Sequence, residues 1–164
     1  MGYSNSPLVC YTGLSPNHSG QRTHNIDRIT PHCVVGQLSC ETICACFPKG
    51  REASCNYGIG SDGRISLIVE EKNRSWCSSS GANDQRAITI ECASDKTAPY
   101  AMNDAVYQSL IKLCVDICKR NGIEKLKFTG DLSGNLCMHC YCASTACPGP
   151  YMKKKFKYIA KQVH

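Results

Sequence analysis

Apolar residues recur along this chain in two rhythms, every second position and every third or fourth, and the switches between them mark its elements. RITPHCVVG reads as a strand that begins the core, with Val34 and Val35 apolar and Gly36 ending it. In LSCETICACF, Cys40, Ile43, Cys44 and Phe47 fall at i, i+3, i+4 and i+7, the stripe of an amphipathic helix capped by Ser39. SCNYGIG and RISLIVE flank SDG, an Asp-Gly turn that signals a hairpin, and RAITIEC alternates as a further strand. Between them, WCSSSGAND reads as a loop. The longest pattern follows Asn103, a cap, with Val106, Leu110, Leu113, Cys114 and Ile117 on one face. Lys119 and Arg120 suit its negative end and Gly122 stops it. LKFTG predicts a short strand, and GDLSGN a loop. Strands and helices interleave, so the expected class is α/β, with a mixed central β-sheet flanked by helices and no internal repeat.

Length allows one domain with one substantial core: 164 residues are too few for two comfortable ones. The expected folded domain spans residues 1–152. Its first 25 residues, rich in Ser, Pro, Asn and Gly, read as an irregular arm. Residues 153–164, with KKKFKYIAKQ, read as a basic tail or linker.

Composition changes this picture at cysteine. Fourteen cysteines suggest a disulfide scaffold, but such scaffolds are short of aliphatic core, whereas this chain has long apolar-periodic segments. The start, MGYSNSPLVCYTGLSPNHSG, has no basic leader and no apolar run, so no secretory signal peptide is expected, and no stretch approaches a membrane span. A reducing cytosol follows, where buried cysteines pack or ligate metal. The formal charge of +6 points to an anionic partner, whether nucleic acid, membrane or acidic wall polymer. No nucleic-acid-binding signature accompanies it, so neither nucleic acid nor membrane insertion is expected.

Candidate chemistry gathers in CMHCYCASTACPGPYM, residues 137–152. Of the five histidines, His18, His24 and His164 read as solvated surface groups. His32 sits in a core strand, and His139 lies eight residues before Cys147. A catalytic zinc ion takes three protein ligands and leaves a fourth position open. On spacing alone, Cys137, His139, Cys140, Cys142 and Cys147 combine equally into a closed structural site, although a second C-x-x-C pair is missing. A redox C-x-x-C is a third reading, but Cys137 follows a loop rather than opening a helix.

The segments TPHCVVG, NYGIGSDGRISLIVEEKNRSWCSS, NDQRAITIE and MHCYCASTACPGPYM together resemble the zinc-dependent type 2 N-acetylmuramoyl-L-alanine amidases. This class includes phage endolysins and is related to the animal peptidoglycan recognition proteins, whose fold it shares. The likeness runs from about Ile29 to Tyr151, in motif order as well as content, and is nearest to endolysins from phages or prophages of clostridia and related bacteria. It implies one zinc ion held by His32, His139 and Cys147. It also implies Glu91 as general base and acid, with Tyr57 and Thr145 as hydrogen-bond donors to the oxyanion. Independently, a Glu within an apolar strand is costly to bury without a task. Trp76 either lines a glycopeptide groove or packs its loop. Where family members often carry other side chains, this chain has Cys140, Cys142 and Cys77. The implied partner is cell-wall peptidoglycan, reached from the host bacterial cytoplasm at lysis, and the rival reading is a module that binds peptidoglycan without cutting it. Oligomeric state is left open.

Overall fold

The computed structural model describes residues 2–163. Its strands are β1 (Tyr11–Thr12), β2 (His18–Gln21), β3 (Arg28–Cys33), β4 (Tyr57–Ile59), β5 (Ile65–Leu67), β6 (Asn73–Ser75) and β7 (Ala87–Cys92). Its helices are α1 (Cys40–Ala45), α2 (Gly81–Arg86), α3 (Asp104–Asn121) and α4 (Gly149–Gln162). Five strands form a mixed sheet in the order β1-β5-β4-β7-β3, antiparallel only between β4 and β5, and β2 pairs with β6 in a separate ribbon.

Alternation along the strands gives this sheet two different faces. Ile29, Tyr57, Ile59, Ile88, Ile90 and Cys92 point to the face covered by α3 and α4. The other face meets α1: a Cβ on Gly58 would lie 2.8 Å from Ile43 Cγ2, so only glycine admits the helix here. Ile43 of that helix and Phe47, just beyond its end, pack with Cys55, Ile68 and Val69 in a second, smaller core. The free edge of β3 is closed by residues 135–137, since Ile29 N–H donates to Asn135 O at 2.9 Å and Cys137 N–H to Ile29 O at 3.1 Å.

The caps stand where the sequence places them. Ser39 Oγ accepts from Thr42 N–H at 3.1 Å, Asn103 Oδ1 accepts from Val106 N–H at 2.9 Å, and Gly122 ends α3 in the left-handed region at φ 68°. The Asp-Gly hairpin also forms, with Gly63 at φ 85° in its turn.

Five expectations need correction. The first 25 residues are not an irregular arm throughout, because β1 extends the sheet beside β5 and β2 pairs with β6. The loop WCSSSGAND gives way to α2, capped by Ser80 Oγ accepting from Asn83 N–H at 3.2 Å. LKFTG lies outside any strand, since Lys127 O is taken by the N–H groups of Asn135 and Leu136, each at 3.0 Å. The described residues of the expected tail or linker, 153–163, are neither. All the described ones but Val163, its C-cap, belong to α4, whose Met152, Phe156 and Ile159 are fully buried against the sheet and α3. The first strand is also shorter than its sequence suggests, ending at Cys33, and Val35 sits at φ 60° with its side chain exposed.

Phe156 meets Phe128 edge to face, with ring centroids 5.6 Å apart. Phe156→Ala is expected to destabilise the whole domain by about 3–5 kcal/mol, as emptied core aromatics do. Denaturant unfolding checks this; a change below about 1 kcal/mol would mean that α4 is a loosely attached appendage.

Candidate metal centre

In the parallel register of β3 with β7, His32 stands opposite Glu91, so both side chains leave the sheet on the α1 face. His139 arrives from a single 3₁₀ turn, His139–Tyr141, just after the segment that closes the edge of β3. Cys147 follows, held to that turn by Cys140 N–H donating to Cys147 O at 3.1 Å. Four stretches of chain thus meet at one point.

Their geometry is tight. Cys147 Sγ lies 3.6 Å from His32 Nδ1, and the two imidazole centroids are 4.8 Å apart with planes at 61°. One ligand atom from each of His32, His139 and Cys147 lies within 4.8 Å of the other two. A second trio, His32, Cys77 and Glu91, overlaps the first and meets the same limit. Cys77 Sγ approaches Glu91 Oε1 at 3.8 Å.

Burial governs the charges. Loss of solvent pushes His32 down to about 3, with the neighbouring His139 adding to the effect, and it lowers His139 as well. Both rings are therefore neutral near pH 7, with lone pairs ready for a cation. Burial, then the nearby Glu91, raises the Cys147 thiol to about 12. Burial also raises Glu91 to about 7, against smaller opposing effects from the Cys77 hydrogen bond and Arg51.

These residues fit a zinc ion. His32 Nε2, His139 Nε2 and Glu91 Oε2 are all shut off from solvent without a hydrogen-bond partner, which is costly unless something else uses them. Two imidazoles and a thiol match the nitrogen and sulfur donors zinc prefers, and three protein ligands leave one position open. A divalent cation would also reverse the thiol's resistance to ionising.

Of the other candidates, Thr145 is near the centre. Its Oγ1 accepts the Cys147 N–H at 3.2 Å, and with Cys33, Val35 and Tyr100 it lines a pocket of about 220 Å³ beside Cys147. The Trp76 indole N–H donates to Ser19 Oγ of β2 at 2.7 Å, which ties the ring to the ribbon. Tyr57 requires correction. It pairs with Ile90, one position out of phase with Glu91, and therefore points through the opposite face of the sheet. There its hydroxyl donates to Glu71 and accepts the Ser6 N–H at 2.8 Å, which leaves it no role at an oxyanion. His18 is half-buried in β2, where its Nδ1 accepts the Gly20 N–H at 3.0 Å, and His24 is exposed; His164 lies outside the described residues.

One residue was not foreseen. Asp84 is buried, and its carboxylate accepts from Cys77 N–H, Ser78 N–H and Ser78 Oγ, the last at 2.7 Å. It thereby fixes the loop that presents Cys77 to Glu91. The Asn-Asp pair inside a Ser-rich stretch, Ser78 to Asp84, was the available signal: a short polar helix N-terminus with an acid to serve it.

This fold, built around this site, is that of the peptidoglycan amidases. The chain belongs to the N-acetylmuramoyl-L-alanine amidase family, whose model matches residues 22–150. Solved structures agree in fold. A mutant endolysin from Bacillus subtilis is 14% identical and superposes with a TM-score of 0.69 over 96% of this chain and 100% of its own. The catalytic domain of XlyA, 14% identical, reaches 0.73 over 95% of this chain and 100% of its own. The endolysin amidase LysCS from Clostridium intestinale URNW, 18% identical, reaches 0.67 over 94% and 97%. No curated protein sequence matches the chain.

Tyr57→Phe is expected to cost about 1–3 kcal/mol of stability, because Glu71 and Ser6 lose a buried partner. It should leave turnover per folded molecule within about twofold of the parent. Parallel unfolding and hydrolysis measurements separate the two, and a loss of turnover of about a hundredfold or more would return Tyr57 to the reacting centre.

Proposed function

We propose that this amidase is zinc-dependent, cuts the bond between the lactyl group of N-acetylmuramic acid and L-alanine of the stem peptide, and serves as a phage or prophage endolysin. One observation carries the reading: two neutral imidazoles and a thiol converge beside a buried carboxylate, with three of their polar atoms left unpartnered. Zinc, when bound, would polarise the scissile carbonyl and bring the pKa of its water towards about 7.

The chain's own residues do the rest. Glu91, held near neutrality by burial, accepts a proton from the attacking water at its unpartnered Oε2 and later delivers it to the departing amine of L-alanine. Cys77 hydrogen-bonds the other oxygen, Oε1, and so orients the carboxylate. Thr145 spends its lone pair on the Cys147 N–H, which keeps its hydroxyl hydrogen available to the oxyanion of the tetrahedral intermediate. The C–N bond breaks as the proton arrives, leaving a free lactyl carboxylate and a free amine.

The endolysin role rests on the family and on endolysins among the structural neighbours. Fourteen free thiols suit synthesis in a reducing bacterial cytoplasm before the wall is reached.

His32→Ala and Cys147→Ser are expected to lose zinc on dialysis, measured by elemental analysis, and to lose wall clearing with it. Glu91→Gln should retain the metal while turnover falls about 10²–10⁴-fold. Product analysis should find new amino-terminal L-alanine. Full-rate clearing by metal-free protein would overturn the mechanism.

A further inference from the structure

The helix that sequence reading took for a tail has two unlike sides. Met152, Phe156, Ile159 and Val163 are spent on the core, while Lys153, Lys154, Lys157, Tyr158 and Lys161 are exposed on the other. Lys125 and Lys127, exposed on the segment that follows α3, approach the same side. They share with Lys157 and Lys161 a groove of about 620 Å³, floored by Leu126 and Phe128. A second groove of about 550 Å³ continues from Phe128 and Lys157 along α4 between Tyr151 and Tyr158. No Asp or Glu lines either groove.

Charge is unevenly spread as a result. The two grooves, with Lys155, hold seven of the chain's 19 basic residues. The 12 others are set against 13 acidic ones, so the whole formal excess of +6 resides on this face. Among the described residues none of these seven lysines makes an ion pair. Aromatic rings support two of them instead: Lys155 Nζ sits 5.4 Å from the Tyr151 ring centroid, and Lys157 Nζ sits 5.0 Å from that of Tyr158. Unneutralised like charges held together by a rigid helix repel one another, and a polyanion relieves that repulsion.

We propose that this face binds the phosphodiester polymer of the wall, a chain of polyol phosphates joined covalently to peptidoglycan, and so holds the amidase on its substrate. The proposal rests on the peptidoglycan reading above. The chemistry of the two grooves selects this partner. The lysines are point charges that pair with successive phosphates, and the groove carries no arginine of the kind that reads or stacks on bases. A membrane-surface helix would keep an apolar side for lipid, but the apolar side of α4 is buried and among its large hydrophobic side chains only Tyr158 is exposed. Position fits as well. The helix begins two residues after Cys147 and runs about 1.5 Å per residue away from it, so a polymer on its lysines lies alongside the wall strand presented to the metal centre.

The test uses the full chain carrying Glu91→Gln, so that walls are bound without being digested. Binding is measured by sedimentation with intact walls, with walls stripped of phosphodiester polymer, and with purified poly(glycerol phosphate). Lys154→Gln, Lys157→Gln and Lys161→Gln together are expected to weaken binding to intact walls and polymer about tenfold and to lower the slope of log affinity against log salt by about two to three. Stripped walls should bind the parent and the triple variant alike and weakly, and Lys157→Arg should bind as the parent does. With Glu91 restored, the triple variant should cut a soluble muramoyl peptide at the parent rate; loss of cutting by the parent itself would sink the amidase mechanism and leave this binding result standing. Equal binding to stripped and intact walls overturns the proposal. So does tighter binding to duplex DNA or to phosphatidylglycerol vesicles at equal phosphate, or competition by inorganic phosphate as effective as by the polymer.

Discussion

The parallel pairing of β3 with β7 sets His32 opposite Glu91 and, three residues back along each strand, Ile29 opposite Ile88. A strand's side chains alternate between faces, so the same register that buries the isoleucines beneath α3 and α4 delivers the imidazole and the carboxylate to the other side. A slip of one residue would send His32 into the apolar core and an isoleucine to the metal centre. The hydrophobic energy of that core therefore holds the reactive pair in place, and no separate device is needed to position it. Gly58, between Glu91 and α1, completes the arrangement by letting the helix lie close.

Burial then has a chemical use. Shutting imidazoles, thiol and carboxylate away from water depresses the histidines and raises Cys147 and Glu91, each in the direction of the neutral form. A pocket of neutral, unpartnered donors is an unfavourable state for the apo chain and a favourable one for a cation. Asp84 contributes from a distance by pinning the loop at Cys77 and Ser78.

Much of this was legible in the sequence. The α3 stripe, its Asn103 and Gly122 boundaries and the Asp-Gly hairpin follow from local rules that depend on few neighbours. The candidate trio of His32, His139 and Cys147 was legible as a resemblance in motif order, whereas spacing alone left Cys137, Cys140 and Cys142 as further claimants. The direction of Tyr57 was not legible, because β4 is three residues long and buried throughout, so it carries no alternation of polar and apolar residues to mark its faces. The nature of α4 was legible but masked: Met152, Phe156, Ile159 and Val163 keep a helical rhythm, but the five interleaved lysines give the stretch the composition of a solvated basic tail. The strands β1 and β6 are two and three residues long, too short to carry a period of their own.

Chain separation at the metal centre has a consequence for how the enzyme comes into being. His32 and Cys147 are 115 positions apart, and β3 also waits for β7 and for the residues near Leu136 that cover its edge. Contacts of such long range form late, after most of the polypeptide has been synthesised and collapsed. A nascent or truncated chain thus holds its first imidazole with nothing to complete the trio, which assembles only when nearly the entire domain has folded.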